Sequence, residues 1–262
     1  MKHTVRRIII SLSLFGSAMA QADSYVLVHG AWADAQVWGL VKAQLENQGH
    51  EVKTINLPGQ GRDHTAVSDI GLGTHVQAIE KELEKLSGRV VLVGHSLAGM
   101  SISQVAQNRP DKVARLVYVA AFLPRNGDNA LSLLKHDKQS ILGRYLNVSS
   151  DHASAGIRPG GRVLAICADC PPEIQDALAG NDRIEPMKPF ADVVTLSAER
   201  FGKVPKSYIF TRDDKALGYE AQLWMVSRGE FVDRKETLNT AHLPFLSQPQ
   251  AFARALLKVA QP

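Results

Sequence analysis

Apolar positions along this chain recur at two alternating spacings, and that alternation sets the first expectation of its architecture. "SYVLVHG" is a short apolar run closed by a turn residue and reads as a strand. Asp34 then stands where an N-cap belongs, ahead of Val37, Trp38, Val41 and Leu45 at helical spacing. "EVKTINL" predicts a second strand and runs into the turn-rich "PGQGRDHT". The next helix carries Val76, Ile79, Leu83 and Leu86 on one face, with Glu and Lys opposite. The strand "RVVLVG", a helix through about Asn108 and the strand "ARLVYVAAF" continue the rhythm. Such a sequence of elements predicts a parallel sheet covered on both faces, because parallel strands need crossover helices.

From about residue 123 to residue 203 the rhythm fails. "LPRNGDN", "IRPGG" and "CPPE" punctuate short helical pieces, which suggests a cap inserted into the sheet. Alternation returns with the strand "KSYIFT", a helix around "YEAQLWMV", the strand-like "EFVDR" and a closing helix. That helix carries the stripe Phe252, Ala255, Leu256 and Val259, with Ser247 as its expected N-cap. One α/β domain over residues 23–262, with an insertion, is the economical reading.

The first residues follow another pattern. Lys2, Arg6 and Arg7 precede the apolar run "IIISLSLFGSAMA", and the small residues Ala18, Ala20 and Ala22 follow. Basic, apolar and small segments in that order predict a signal peptide over residues 1–22, cleaved after Ala20 or Ala22. The run is shorter than the ~20 residues a spanning helix needs, so a retained membrane anchor is disfavoured and export to the periplasm or medium is expected. Net charge supports no polyanionic partner: the +4 of the whole chain falls to +1 without the three basic residues of the first twenty. No Lys/Arg cluster is interleaved with aromatics, which argues against nucleic acid. With 45% hydrophobic and 21% charged residues, the composition is that of an ordinary globular domain. The two cysteines, Cys167 and Cys170 in "ICADC", lack the further Cys or His that zinc would want and the βαβ context of a redox motif. Export favours a short-loop disulfide that braces a flexible segment locally.

The stretch "VVLVGHSLAGM" carries the chemistry. A buried strand ends at Gly94 and a helix begins with small residues, leaving Ser96 at the tip of the turn. A serine hydroxyl needs an adjacent base, a carboxylate behind that base, and N–H donors for the oxyanion. The pattern departs from G-x-S-x-G at Ala98, one methyl larger than glycine, with Gly99 following. In such elbow enzymes the acid and then the base follow the serine along the chain. His136, His152 and His242 are the downstream histidines; the first two fall in the inserted stretch, while His242 in "NTAHLPF" lies between the last strand and last helix. "FTRDDKAL" offers Asp213 or Asp214 at a strand exit, and spacing does not choose between them. Ligands bind at the carboxyl ends of parallel strands, where all of these candidates lie. The first strand also ends there, so Ala31 N–H joins Leu97 N–H as an expected oxyanion donor, with His29 holding the loop.

Taken together, "VLVHGAWADAQVW", "LPGQGRD", "VGHSLAGMSI", "FTRDDKAL" and "AHLPFLSQP" resemble the α/β-hydrolase family of plant methylesterases, hydroxynitrile lyases and their bacterial esterase relatives. The likeness covers essentially the whole chain after the leader and is weakest through the insertion. It implies a mostly parallel six-stranded sheet, Ser96 as nucleophile, His242 as base, Asp214 as the acid, and Ala31 and Leu97 as oxyanion donors. The lyases of that group carry a lysine after the histidine, a threonine in the first-strand loop and an acidic residue before the serine. Leu243, Gly30 and His95 stand at those positions, which is the esterase pattern. The expected activity is hydrolysis of small-molecule carboxylic esters through an acyl-enzyme, without metal or cofactor. Trp32, Trp38, Trp224 and Met225 are candidate lining of a substrate pocket. An acyltransferase or lyase on the same triad, and a ligand receptor without turnover, are the rival readings.

Overall fold

The computed structural model describes residues 24–261, so the leader, with Ala20 and Ala22, lies outside the described residues. Four strands open the fold: β1 (Ser24–Val28), β2 (Glu51–Ile55), β3 (Val90–His95) and β4 (Val113–Val119). Helices α1 (Gly39–Glu46), α2 (Leu72–Glu84) and α3 (Ala98–Asn108) join them. Residues 120–205 then leave the sheet. This segment holds α4 (Ala130–Leu134), the strands β5 (Leu146–Val148) and β6 (Ser154–Ile157), and α5 (Pro159–Gly161), which runs into a π-helical turn at Arg162–Ile166. It continues through α6 (Pro172–Ala179), β7 (Glu185–Pro186) and α7 (Lys188–Ala191). The sheet resumes with β8 (Lys206–Thr211), and α8 (Tyr219–Ser227), β9 (Arg234–Leu238), α9 (Pro244–Ser247) and α10 (Pro249–Ala260) complete the chain.

The main sheet has the order β2-β1-β3-β4-β8-β9, and all five pairings are parallel. This is the α/β-hydrolase architecture expected from the sequence. Its central strands are buried along their length, which is why "VLV", "VVLV" and "RLVYV" read as continuous apolar runs. β5, β6 and β7 form a separate antiparallel sheet within residues 120–205.

Three local expectations change. The last strand is "RKETL", not "EFVDR": Phe231 is 78% exposed, and the pairing runs from Ser207–Arg234 to Thr211–Leu238. β9 is an edge strand, so its alternating half-buried and exposed positions signal it weakly. The closing helix is capped at Gln248, because Pro249 supplies the fixed φ of a first helical position and Ser247 belongs to the preceding turn. Asp34 does act as a cap, accepting from Gln36 N at 2.9 Å, but the turn it opens is a 3-10 segment, Ala35–Trp38, ahead of α1.

Trp38 is fully buried, with ring centroids 4.2 Å from Phe245 and 6.0 Å from Phe252, and it packs α10 and α9 beside the first turn. Replacing this ring leaves a cavity among aromatic neighbours that cannot collapse into it. Trp38→Ala should therefore lower the unfolding free energy by about 3–5 kcal/mol in urea titration, and a loss under about 1 kcal/mol would contradict the packing described.

Candidate active site

Three adjacent strands end in residues with a left-handed backbone: Trp32 (φ 55°) after β1, Ser96 (φ 53°) after β3 and Ala120 (φ 43°) after β4. Each turn aims backbone at the carboxyl edge of the sheet. At Ser96 the turn is held from both sides: Ser96 N–H donates to Val119 O at 3.2 Å, and Ser96 O accepts from Phe122 N at 3.1 Å and from Gly99 N at 3.1 Å. The flanks are tight, most of all at Gly99. A Cβ on Gly99 would lie 2.1 Å from Phe122 O, and one on Gly94 would meet Ile102 Cδ1 at 2.8 Å. The methyl of Ala98 is accommodated and buried. Ser96 is half-buried on the wall of a cavity of about 620 Å³.

His242 reaches the same cavity from the loop between β9 and α9. Its position is fixed on three sides, by His242 N donating to Ile166 O at 3.1 Å, His95 Nε2 on His242 O at 2.9 Å, and Asp214 Oδ2 on its Nδ1 at 2.7 Å. Of the two adjacent carboxylates, Asp214 is 1% exposed and bonded to the imidazole, whereas Asp213 points to solvent. Asp214 also accepts from Thr211 Oγ1 (2.8 Å), Ala216 N (2.8 Å), Leu217 N (2.9 Å) and Gln222 Nε2 (3.3 Å). A carboxylate with that many donors is an acceptor only, so Nδ1 of His242 carries a proton toward it and Nε2 is the ring nitrogen left without a protein partner. Neither Nε2 nor Ser96 Oγ has a hydrogen-bond partner among the described residues.

The β1 turn lies directly against the serine, since a Cβ on Gly30 would sit 2.8 Å from Ser96 Cβ and 2.7 Å from His95 Nδ1. A threonine at this position would not fit. Ala31 lines the cavity, Leu97 is buried at the start of α3, and neither N–H is engaged in a hydrogen bond among the described residues. His29 braces the turn: its Nε2 accepts from Leu57 N at 3.1 Å, so Nδ1 is the donor to Gly30 O at 2.8 Å. Burial drives its pKa down to about 4, keeping the ring neutral in that role. His95 likewise sits well below the ordinary histidine value, first because it is buried and then because His242 is close. Its Nε2 donates to His242 O, which leaves a bare, unpartnered Nδ1.

Of the four expected pocket residues, Trp32 alone lines the cavity. Trp38 is core, Trp224 stacks on His136 (3.9 Å) and under Arg228 on the outer side of α8, and Met225 is buried beneath that helix. The cavity is walled instead by aliphatic side chains such as Leu131, Leu134, Ile166, Leu178 and Leu246. His136 and His152 do not line it. Cys167 and Cys170 lie side by side in one turn, with Cα atoms 5.2 Å apart, within the span of a disulfide. Asp169, which with the two sulfurs forms a compact group, accepts through its Oδ2 from Ala241 N at 3.0 Å. The "ICADC" turn therefore touches the backbone of both Ala241 and His242.

Sequence patterns gave no sign of Glu185. It is 2% exposed, and its Oε2 accepts from Trp32 N (2.8 Å) and Gln60 Nε2 (2.8 Å), while Trp32 Nε1 donates to Ala155 O at 2.7 Å. β6 and β7 thus hold the turn that follows Ala31. The burial of Glu185 is set by distant chain, which no local pattern in the sequence records.

The fold and site define a serine hydrolase of the carboxylesterase kind. The chain belongs to the alpha/beta hydrolase family, whose model matches residues 25–255. It is 27% identical over 258 residues to salicylic acid-binding protein 2 of Nicotiana tabacum, covering 92% of this chain and 98% of that protein. It is 29% identical over 249 residues to methylesterase 7 of Arabidopsis thaliana, covering 90% and 95%. The crystal structure of polyneuridine aldehyde esterase superposes with a TM-score of 0.82 at 24% identity, over 92% of this chain and all of that one. Within that family the chain is similar to methylesterases and a related esterase.

Burial lifts the Glu185 carboxyl from an ordinary 4.5 to about 8, against the opposing pull of the Trp32 N–H and the Gln60 amide. Below 4.5 it is protonated in folded and unfolded chains alike; between about 4.5 and 8 the unfolded chain releases the proton that the folded protein keeps. Its contribution to stability therefore falls as pH rises through that window and levels off above it. Glu185→Gln, which imitates the neutral acid, should flatten this limb of stability against pH in urea unfolding. An unchanged slope would contradict the burial.

Proposed function

We propose that the protein hydrolyses small-molecule carboxylic esters through Ser96, His242 and Asp214. The observation that carries this reading is the short bond from His242 Nδ1 to buried Asp214, which leaves Nε2 as a base in the cavity that Ser96 also lines. With substrate seated, Ser96 Oγ attacks the ester carbonyl carbon while His242 Nε2 takes its proton. The carbonyl oxygen becomes an oxyanion facing Leu97 N–H and Ala31 N–H. Collapse expels the alcohol, protonated by His242, and leaves an acyl-Ser96 ester. Water, deprotonated by the same nitrogen, then releases the acid and restores the hydroxyl. The nucleophile–base hydrogen bond forms as substrate displaces solvent, between a serine hydroxyl and an imidazole nitrogen that have no partner among the described residues.

The methylesterases among the relatives support an ester rather than an amide or peptide substrate, and the aliphatic cavity favours an apolar acyl or alcohol group. Cyanohydrin cleavage is disfavoured by Gly30, where no threonine fits, and by Leu243 at the place of a lysine. We place residues 120–205 as the cap that sets substrate preference. Among the described residues no helix is long and apolar enough to cross a membrane. Export remains the proposal of the leader alone, and N-terminal sequencing of the secreted chain tests it.

Wild type should release p-nitrophenol from short acyl esters, and Ser96→Ala should reduce kcat by about 10³-fold or more with little change in KM. Asp214→Asn should also fall by orders of magnitude, because the imidazole loses the carboxylate that fixes its tautomer. A wild type with no turnover across an ester panel would favour a receptor. Ester products formed in preference to acid when an alcohol is added would favour an acyltransferase.

A further inference from the structure

We propose that Arg162 gives the cavity a second recognition point, which takes a carboxylate carried by the substrate at the end remote from its ester. The ester half of this statement rests on the hydrolase reading above; the anion site stands on its own geometry. Arg162 opens the π-helical turn Arg162–Ile166, lines the same cavity as Ser96, and is only 1% exposed. Its Nη2 donates to Arg183 O at 2.9 Å, and that is the side chain's one hydrogen bond among the described residues. Nε is buried without any partner. No carboxylate among the described residues forms an ion pair with it.

The neighbouring charges do not fill the gap. Arg183, also on the cavity wall, is already paired with Asp34, and Asp34 caps the turn after β1 through Gln36 N as well. Asp182 favours the Arg162 charge through space but is exposed to water. Glu185 is occupied by Trp32 and Gln60. This end of the cavity therefore holds two guanidinium groups and one engaged carboxylate, so one positive charge has no buried counterpart. A guanidinium cannot shed its proton to escape the low-dielectric site. Its planar pair of N–H groups matches a carboxylate in a way that a lysine ammonium would not.

Placement ties the charge to the reaction. Ile166, at the other end of the π-helical turn, accepts the backbone N–H of His242. Arg162 is four residues earlier in the same turn, and Ile166 and Leu178 add aliphatic wall to the cavity that it lines. The ligand this describes has an ester at Ser96, a short apolar body and an anionic head, as in the half-ester of a dicarboxylic acid.

Monomethyl esters of a series of dicarboxylic acids of increasing chain length should be compared with methyl esters of monocarboxylic acids of equal length near neutral pH. At the best length, wild type should favour the charged member about tenfold or more in kcat/KM. Arg162→Met should bring that ratio toward one, and Arg162→Lys should retain part of it. In parallel, calorimetry on Ser96→Ala should show tighter binding of the half-ester than of its neutral partner. This reads the anion site even where Arg162→Met fails to fold or no ester is turned over. Preferential binding without turnover in wild type would uphold the anion site and defeat the hydrolase reading. Equal handling of charged and neutral partners by wild type and by Ser96→Ala, or a preference untouched in folded Arg162→Met, would overturn the proposal.

Discussion

A left-handed backbone at one non-glycine residue is the constraint on which the site depends. Holding Ser96 at φ 53° costs on the order of 1–3 kcal/mol, and the cost persists only where the surroundings leave no alternative. Here the two strands and the helix that meet at the turn impose it. Val119 O takes the Ser96 N–H, Phe122 and Gly99 donate to Ser96 O, and Gly99 packs so closely on Phe122 that any side chain there would push the helix off the sheet. Relaxing the turn would break these bonds and withdraw the hydroxyl from the cavity. The strain is thus maintained by the packing of β3, β4 and α3, whose burial is the core of the molecule.

The other two groups are held differently. Asp214 and His242 come from loops, and loops need fixing by hydrogen bonds where strands do not supply rigidity. Four donors other than the imidazole hold Asp214, while the backbone of the His242 loop is tied to Ile166, Asp169 and His95. Two of those ties come from residues 120–205. The same segment holds the β1 turn through Glu185 and Ala155. Chain that lies outside the sheet therefore positions the base and the turn after the first strand as well as walling the cavity.

How much of this could be read beforehand follows from what burial does to composition. β1, β3 and β4 are covered on both faces, so their apolar runs are continuous and their alternation with helices is plain. β9, an edge strand with charged residues on both faces, lacks that signature, and Phe231 and Val232 drew the expectation upstream. Ser96 and His242 stand out because turn chemistry and chain order single them out; two adjacent aspartates could be separated only by family likeness until burial distinguished them. The tryptophans misled for a simple reason: core and cavity ask for the same apolar surface, so Trp38 and Trp32 look alike in sequence. Glu185 and Arg162 were invisible because charged residues ordinarily face water, and only tertiary packing encloses these two.

Activation of Ser96 by His242 is read out by covalent labelling with a p-nitrophenyl phosphonate ester. One adduct per chain is expected, located at Ser96 by peptide mass spectrometry, forming rapidly in wild type and slowed by orders of magnitude in His242→Ala. Labelling at another residue, or a rate at Ser96 that does not depend on His242, would contradict it.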